Sequence, residues 1–409
     1  MLHRVNFDLT IESLANTFGY MRLIFRFFYN NFIDFNPRLS IKKGTLASKI
    51  AMDKLQPFTK KIPDIEKAEF AGGTKFCNGD TIMARITPCL ENGKTAFVDV
   101  LEDGEVGFGS TEFIVLRAKN GISDPQFVYY LATSPAFRDV AIKSMVGSSG
   151  RQRVQQGVLD NLELIVPPLP EQKRIGGFLA LIDEKIALNN KINNNLYEQM
   201  QALYNSWFVN FEPFEGKQPD DWTVKDIYSL ANIIYGAPFA SKLFNTNGIG
   251  KPIIRIRDLK EQEFNTFTTE LHPKGYLLKP GDIVVGMDGE FRPYIWGNDE
   301  AWLNQRVCVF ENKRPLGKAF LYYTIKPLLF AIEQTQVATT VIHIGKKDFD
   351  AFKILLPTED ILHKFDEITA PMVLQITQNI LECKRLCSLR DTLLPKLMSG
   401  EIDISGIDI

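Results

Sequence analysis

The sequence predicts an α+β protein with two similar globular domains, each followed by a long helix, and with the two helices paired as an antiparallel coiled coil. Internal repetition supports the two domains, because Gly79-Asp80, which opens an apolar strand, recurs as Gly281-Asp282. Two further segments recur: Phe127-Val128-Tyr129-Tyr130 returns as Phe320-Leu321-Tyr322-Tyr323, and residues 162–167 return as residues 352–357. Heptad spacing after each copy supports the paired helices.

The predicted elements follow the same order in both copies. In the first copy, apolar segments between Asn-Gly and Asp-Gly turns predict strands at residues 80–86, 95–100 and 111–117, followed by a helix at 125–132. In the second copy, strands are predicted at 253–256, 282–285 and 306–310, followed by a helix at 317–325. The second half is therefore a diverged copy of the first.

A long helix is predicted after each copy. Proline at a first helical position, followed by an acid, starts the first helix at Pro170-Glu171. We expect Asn189 and Asn379 to set the alignment of the two helices against each other, the alternative being two exposed asparagines, and Pro371 to kink or interrupt the second helix. The predicted helix-pairing residues share heptad spacing: Ile182, Ile186, Asn189, Leu196 and Leu203 in the first helix, and Met372, Asn379, Leu386 and Leu393 in the second.

Composition is that of an ordinary globular protein. At 409 residues, the chain is long enough for two to three hydrophobic cores, and its 45% of apolar and aromatic residues excludes wholesale disorder. The apolar run at residues 21–35 contains Arg22, Arg26 and Asp34 and is too short to span a membrane. The five cysteines are scattered, which is typical of a reducing cytoplasm, so we expect a cytoplasmic protein without membrane contact.

Motifs for catalysis are missing from the sequence. There is no phosphate-binding loop, no glycine-rich methyltransferase loop after a strand, and no Asp/Asn-Pro-Pro-aromatic motif. Asp64, Glu66 and Lys67 are residue types that metal-dependent nucleases use, but they are crowded into one segment. The four histidines and the Cys383, Cys387 pair lack the spacing of metal ligands. We therefore expect no catalytic residues and no metal site.

Without catalytic motifs, the function left to consider is recognition of a partner. Duplex DNA has the pseudo-two-fold symmetry that a duplicated chain would match. The net charge of −2 implies that any DNA contact depends on local patches. Seven Lys and Arg residues against one Asp occupy residues 38–61, and a smaller cationic run occupies 251–260. The loop at residues 147–154 carries hydroxyls, an amide and two guanidiniums, and its counterpart at 338–347 differs in detail. The alternative for these segments is a solvated basic face or a polar capping loop.

The residues that we predict to contact DNA have basic, amide or hydroxyl side chains; most lie in these segments, and the others lie between residues 292 and 306. Lysine is expected to contact phosphate, whereas Arg and Gln suit base edges. In the first domain the predicted residues are Lys42, Lys43, Lys49, Lys54, Gln56, Ser148, Ser149, Arg151, Gln152 and Arg153. In the second domain they are Arg255, Arg257, Arg292, Gln305, Arg306, His343, Lys346 and Lys347.

Several segments resemble a known family, the specificity subunits of type I restriction-modification systems. They include Pro167-Pro168-Leu169-Pro170-Glu171-Gln172 at the start of the first helix and Leu394-Pro395-Lys396-Leu397-Met398-Ser399-Gly400 at the end of the second. Residues 50–58, 147–154, 182–186, 207–214 and 284–291 also look like family segments. The resemblance covers residues 31–402.

The resemblance implies a division of labour. Each of two target recognition domains would read half of an asymmetric, interrupted DNA sequence, while the helices would act as a ruler and dock two methyltransferase (M) subunits. Those subunits would use S-adenosylmethionine to methylate adenine, and restriction (R) subunits with ATP and Mg would cut unmodified DNA. By the same resemblance, this chain would bind no cofactor and catalyse nothing.

The repeat and the resemblance together divide the chain into six segments. They are an atypical N-terminal segment (1–30), target recognition domain 1 (31–168), spacer helix 1 (169–208), target recognition domain 2 (209–357), spacer helix 2 (358–399) and a C-terminal tail (400–409). Two alternatives stay open at this point. One is a self-contained DNA methyltransferase or nuclease with an unrecognised site, and the other is a coiled-coil scaffold that does not bind DNA.

Overall fold

The computed structural model describes residues 25–28, 32–148, 150–335, 343–404 and 406. Most of the predicted N-terminal segment at residues 1–30, and Ser149 among the predicted DNA contacts, lie outside the described residues. The chain forms two compact units, one comprising Met1–Glu184 with Leu386–Ile409 and the other Lys185–Arg385. Both long helices therefore contribute to both units, whereas the sequence-based division gave each helix a segment of its own.

The first unit contains two four-stranded sheets and a two-stranded ribbon. One sheet has the order β2-β9-β6-β7 and is antiparallel throughout. The other has the order β4-β3-β8-β5, in which β3 and β8 are parallel, and β1 pairs with β10. The strands are β1 Phe25–Phe28, β2 Ile33–Phe35, β3 Leu46–Ile50, β4 Glu66–Glu69, β5 Thr74–Phe76, β6 Thr81–Ala84, β7 Thr95–Phe97, β8 Gly107–Gly109, β9 Phe113–Ala118 and β10 Glu163–Val166.

The second unit repeats this topology. Its antiparallel sheet has the order β12-β20-β17-β18, and its second sheet has the order β13-β15-β14-β19-β16, again with one parallel pair, β14 and β19. The strands are β11 Thr223–Asp226, β12 Ala231–Tyr235, β13 Phe244–Asn245, β14 Lys251–Ile254, β15 Phe267–Thr268, β16 Leu277–Leu278, β17 Ile283–Gly286, β18 Pro293–Ile295, β19 Ala301–Leu303, β20 Val307–Asn312 and β21 Lys353–Leu356. The matching strand orders confirm the predicted pair of similar α+β domains.

Two of the helices are about 40 residues long, and the rest are short. They are α1 Pro125–Thr133, α2 Pro135–Lys143, α3 Gln156–Asp160, α4 Leu169–Phe208, α5 Lys318–Thr335, α6 Lys346–Asp350 and α7 Glu359–Ser399, of which α4 has 40 residues and α7 has 41. Of the two predicted effects of Pro371, a kink or an interruption of the second long helix, the interruption is wrong, because α7 runs unbroken across this residue. Pro371 is exposed, so water can satisfy the carbonyl that loses its usual donor.

The long helices complete the hydrophobic core of each unit. In the first unit, Phe127 of α1 shares a buried cluster with Leu179 of α4 and Leu397 of α7. In the second unit, Phe208 of α4 and Phe365 of α7 join a buried cluster with β-strand and α5 side chains. Since apolar burial is the main favourable term in folding, each domain depends on both helices for its stability.

Polar side chains link the two long helices within each unit. In the second unit, Asn379 Nδ2 donates to Asn193 Oδ1 at 2.8 Å, and Asn189 Nδ2 donates to Glu382 Oε2 at 2.7 Å. Position numbers rise along one helix as they fall along the other, so the pair is antiparallel. The prediction that Asn189 and Asn379 align against each other is wrong in detail, because each binds a residue about one turn away from the other asparagine.

The remaining predicted helix-pairing residues also face protein. Ile182, Leu386 and Leu393 are buried, whereas Ile186, Leu196, Leu203 and Met372 are half-buried. Leu393 belongs to the core of the first unit, and Leu196, Leu203 and Met372 pack against the core of the second. Helix pairing and domain packing therefore use the same side chains.

Candidate nucleic-acid interface

Three segments of the first domain are joined by backbone hydrogen bonds: residues 85–87, the turn that contains Glu112, and the loop at 147–154. We call this arrangement the framework. Residues 85–87 lie between the turn before β9 and the loop at 147–154. The Arg85 N–H donates to Glu112 O at 2.9 Å, and the Val154 N–H donates to Arg85 O at 2.9 Å. The Thr87 N–H donates to Gln152 O at 3.0 Å, while Thr87 Oγ1 accepts from the Gln152 N–H at 3.0 Å. Backbone bonds thus hold the predicted recognition loop against the central segment.

The second domain builds the same framework. The Met287 N–H donates to Arg306 O at 2.8 Å, and the Ile344 N–H donates to Met287 O at 2.9 Å. An antiparallel bridge joins Asp288 to His343, as another joins Ile86 to Arg153 in the first domain. Arg306 therefore occupies the position of Glu112, and His343 occupies that of Arg153.

The recognition loop of the first domain presents its cations differently. Arg153 forms a two-nitrogen ion pair with Glu112, in which Nη2 lies 2.6 Å from Oε1. Arg151 and Ser148 are exposed, and no described residue forms an ion pair with Arg151, while Gln152 is half-buried. Gly147 has a φ of +144°, and a Cβ there would lie 2.8 Å from Arg151 O, so the turn requires glycine.

In the second domain, the corresponding surface centres on Asp288. His343 Nδ1 contacts Asp288 Oδ1, and Arg306 Nη1 lies 3.8 Å from the same oxygen. Gln305 is exposed beside Arg306. Two lysines follow His343 in sequence at the start of α6: Lys346 pairs with Asp350 at 2.8 Å, and Lys347 is exposed without an ion-pair partner among the described residues.

The cationic run at residues 38–61 is not one free basic face. Lys49 lies 3.6 Å from Glu66, Lys54 pairs with Asp64, and Lys61 lies 2.6 Å from Asp99. Lys60 is 6% exposed and packs over aromatic rings, and burial lowers its pKa. Lys42 and Lys43 are exposed and have no ion pair among the described residues, and Gln56 is also exposed. The patch is therefore smaller than its sequence charge suggests.

Two predicted arginines of the second domain are held inside their own domain. Arg255 pairs with Asp258 at 3.4 Å and also contacts Thr266. Both terminal nitrogens of Arg292 bind Glu333. Arg257 is exposed, and no described residue forms an ion pair with it. Arg257 is thus better placed than Arg255 or Arg292 to contact a partner.

Catalytic alternatives gain no structural support from the described part of the chain. No group of three or more His, Cys, Asp or Glu residues is placed there to hold a metal ion. The residues of nuclease-like type in and just before β4 form ion pairs, Asp64 with Lys54 and Lys67 with Glu105 at 2.9 Å. In the same part of the chain, no helix is long and apolar enough to cross a membrane.

Two residues of this framework were not predicted to act in recognition. Glu112 lies at the start of a predicted strand, and Asp288 lies within a segment that was noted only for its family resemblance. Aligning the two copies would have drawn attention to Glu112, because it falls opposite Arg306, which was predicted. No signal in the single sequence singles out Asp288.

Known proteins share this architecture and sequence pattern. The family model for the type I restriction modification DNA specificity domain matches residues 69–198 and 219–382, one range in each copy. The HindI type I restriction enzyme specificity subunit of Haemophilus influenzae is 24% identical over 79% of this chain and 86% of that subunit. The EcoBI specificity subunit of Escherichia coli is 37% identical over 139 residues, which are 34% of this chain and only 29% of that subunit.

A solved structure supports the fold. The S subunit of a type I restriction-modification system from M. genitalium aligns with 94% of this chain and 98% of its own, with a TM-score of 0.57 and 15% identity. The family model matches well over half of the residues, and it does so on both copies of the duplicated framework. This chain therefore belongs to the family of type I restriction-modification DNA specificity subunits.

Proposed function

We propose that this chain reads a bipartite, asymmetric target in double-stranded DNA and directs adenine methylation or DNA cleavage by partner subunits. The observation that carries this proposal is the duplicated framework with different side chains on each copy. Glu112 and Arg153 in the first domain stand where Arg306 and His343 stand in the second. Corresponding backbone frameworks with different polar groups suit the reading of two different half-sites.

The predicted contact residues divide into two kinds under this proposal. Lys42, Lys43 and Lys347 lie free on the surface and would contact phosphate, which positions the protein without reading sequence. Arg151, Gln152 and Gln305 would read base edges, because guanidinium and amide groups can make paired hydrogen bonds with guanine and adenine. The net charge of −2 means that affinity would rest on these local groups.

The chemistry would reside in partner subunits. We assign methylation to two methyltransferase subunits that use S-adenosylmethionine, and cleavage to restriction subunits that use ATP and Mg. This chain would bind none of these cofactors. The long helices would serve as the docking frame for the methyltransferases, since they also complete the core of each domain.

Methylome sequencing tests the proposal directly. A host without adenine methylation of its own would carry this chain together with the methyltransferase encoded beside it, and a control host would carry the methyltransferase alone. We expect a bipartite adenine motif that appears only when this chain is present. No new methylation, despite a purified complex of both proteins, would favour a scaffold that does not bind DNA, whereas methyl transfer by the purified chain alone would favour the enzyme alternative.

A further inference from the structure

In each domain, one carboxylate contacts the residue that bridges from the recognition loop, Arg153 in the first domain and His343 in the second. The carboxylate is that of Glu112 in the first domain and of Asp288 in the second. A carboxylate repels phosphate, so its presence on a DNA-binding surface carries an electrostatic cost. The two acids arise from different segments of the framework, Glu112 from the turn before β9 and Asp288 from the segment after β17. The acid therefore occupies a different position of the framework in each domain.

Glu112 holds the guanidinium of Arg153 by one edge. Arg153 Nε lies 3.0 Å from each carboxylate oxygen, and Nη2 lies 2.6 Å from Oε1. This hydrogen bonding lowers the pKa of Glu112, so the carboxylate is ionised at neutral pH. Nη1 has no hydrogen bond to a described residue. The Arg153 side chain is 45% exposed and that of Glu112 is 25% exposed, so the cation lies outside the acid.

Asp288 is the corresponding acid in the second domain, and its close partner is a histidine in place of an arginine. It contacts the His343 ring and lies 3.8 Å from Arg306 Nη1. The side chains of Arg306 and His343 are 56% and 55% exposed, whereas that of Asp288 is 21% exposed. In both domains, therefore, a half-exposed basic side chain, Arg153 or His343, can meet a ligand while the less exposed acid holds it by a direct contact.

We propose that Glu112 and Asp288 are specificity-determining positioning residues: Glu112 holds Arg153, and Asp288 holds His343 beside Arg306, in the orientation that reads one DNA half-site. This inference rests on the proposed function. An arginine held by a carboxylate loses less side-chain entropy when it meets a base edge. The carboxylate also weakens attraction to phosphate, which is the sequence-independent part of binding. Both effects raise the ratio of specific to non-specific affinity.

Isosteric removal of each charge tests the inference. The full chain, purified with its methyltransferase partner, would carry Glu112→Gln or Asp288→Asn, and Asp139→Asn and Glu263→Gln would serve as matched controls. The two control acids are exposed, one in each domain, without an ion pair to any described residue. Binding would be measured against salt on four duplexes: the mapped target, the target with either half-site scrambled, and an unrelated sequence.

We expect each variant to lose about 10-fold in discrimination at one half-site only, Glu112→Gln at one and Asp288→Asn at the other. Binding to the unrelated duplex should rise, with a salt dependence steeper by up to about one ion. Equal weakening on all four duplexes would indicate a merely structural role and overturn the inference. If the wild type discriminates between the duplexes and both variants discriminate equally well, the inference is overturned while the proposed function stands. A wild type that prefers no duplex would overturn the proposed function as well.

Discussion

Glu105 shows how a single side chain organises the lysine-bearing sheet of the first domain. Its Oε1 accepts hydrogen bonds from the Ser48 N–H and from Lys67 Nζ, both at 2.9 Å, and thus joins β3 to β4. Burial alone would raise the pKa of Glu105, but the hydrogen bonds from Lys67 and Ser48 outweigh it and lower the pKa to about 2. The ionised carboxylate therefore stabilises the folded state at neutral pH.

Replacing Glu105 by Gln should destabilise the chain in a pH-dependent way. Because the folded-state pKa of Glu105 is depressed, its contribution is fully present above the unfolded pKa, about 4.3, and is lost as pH falls toward about 2. We expect Glu105→Gln to lower the free energy of unfolding by about 1–2 kcal/mol at pH 7. Urea unfolding at pH 7, 5 and 3.5 should show this gap narrowing only below about pH 4.5. A gap that stays constant with pH would contradict the ionised contact.

The sequence could not predict which Lys and Arg side chains form ion pairs within the protein, because their partners are distant in sequence. The six predicted strands and the four predicted helices each overlap an observed element, because hydrophobic period, turns and capping are local features, but the other strands of the described residues were not predicted. Arg153 pairs with a carboxylate 41 residues earlier, and Arg292 pairs with one 41 residues later. Nothing in the local sequence of Arg292 distinguishes it from Arg257, which remains exposed. The positions of the candidate site were therefore predictable in part, but its free charges were not.

At the scale of elements, each long helix meets its domain through one glycine and one acid. The helix carries the glycine in the first copy and the acid in the second. A Cβ on Gly176 of α4 would lie 2.7 Å from Phe127 N and 2.8 Å from the capping Asp124, so only glycine permits this approach. In the second copy the glycine is Gly317 on the domain side, and the acid is Asp366 on α7, 3.3 Å from the Cβ position of that glycine.

The buried amide pair between the long helices should be sensitive to single but not to double replacement. Asn193 and Asn379 are 6% and 3% exposed, so replacing either by Leu leaves the other without its partner in a dry seam. We expect each single variant to lose about 1–3 kcal/mol of unfolding free energy. The double variant should recover most of that loss, because no buried polar partner remains.

Chemical denaturation of the two single variants and the double variant measures this coupling. Asn194→Leu, on the exposed face of α4, is the matched control and should change little. Strictly additive losses in the double variant would show that the two amides do not depend on each other. The double variant keeps the polar links Asn189–Glu382 and Asp183–Arg390 between the two helices, so the series isolates the contribution of the one amide pair.

At the scale of the whole molecule, both long helices pass from one compact unit into the other. The boundary falls after Glu184 in α4 and after Arg385 in α7. Asp183 bonds Arg390 at 2.7 Å in the first unit, and Lys185 lies 3.3 Å from Glu382 in the second. The two boundary points therefore lie nearly opposite each other in the antiparallel pair. A matched insertion there would leave the contacts inside each unit intact.

Seven residues inserted after Glu184, together with seven after Arg385, should lengthen the unread interval of the DNA target. A heptad preserves the seam of a coiled coil and adds about 10.5 Å of helix, equivalent to about three base pairs. Methylome mapping should then show both half-sites unchanged and the interval about three base pairs longer. Insertion after Glu184 alone is the control, and it should abolish methylation because it slips one helix against the other. An unchanged interval in the matched variant would mean that the helices do not set the spacing of the half-sites.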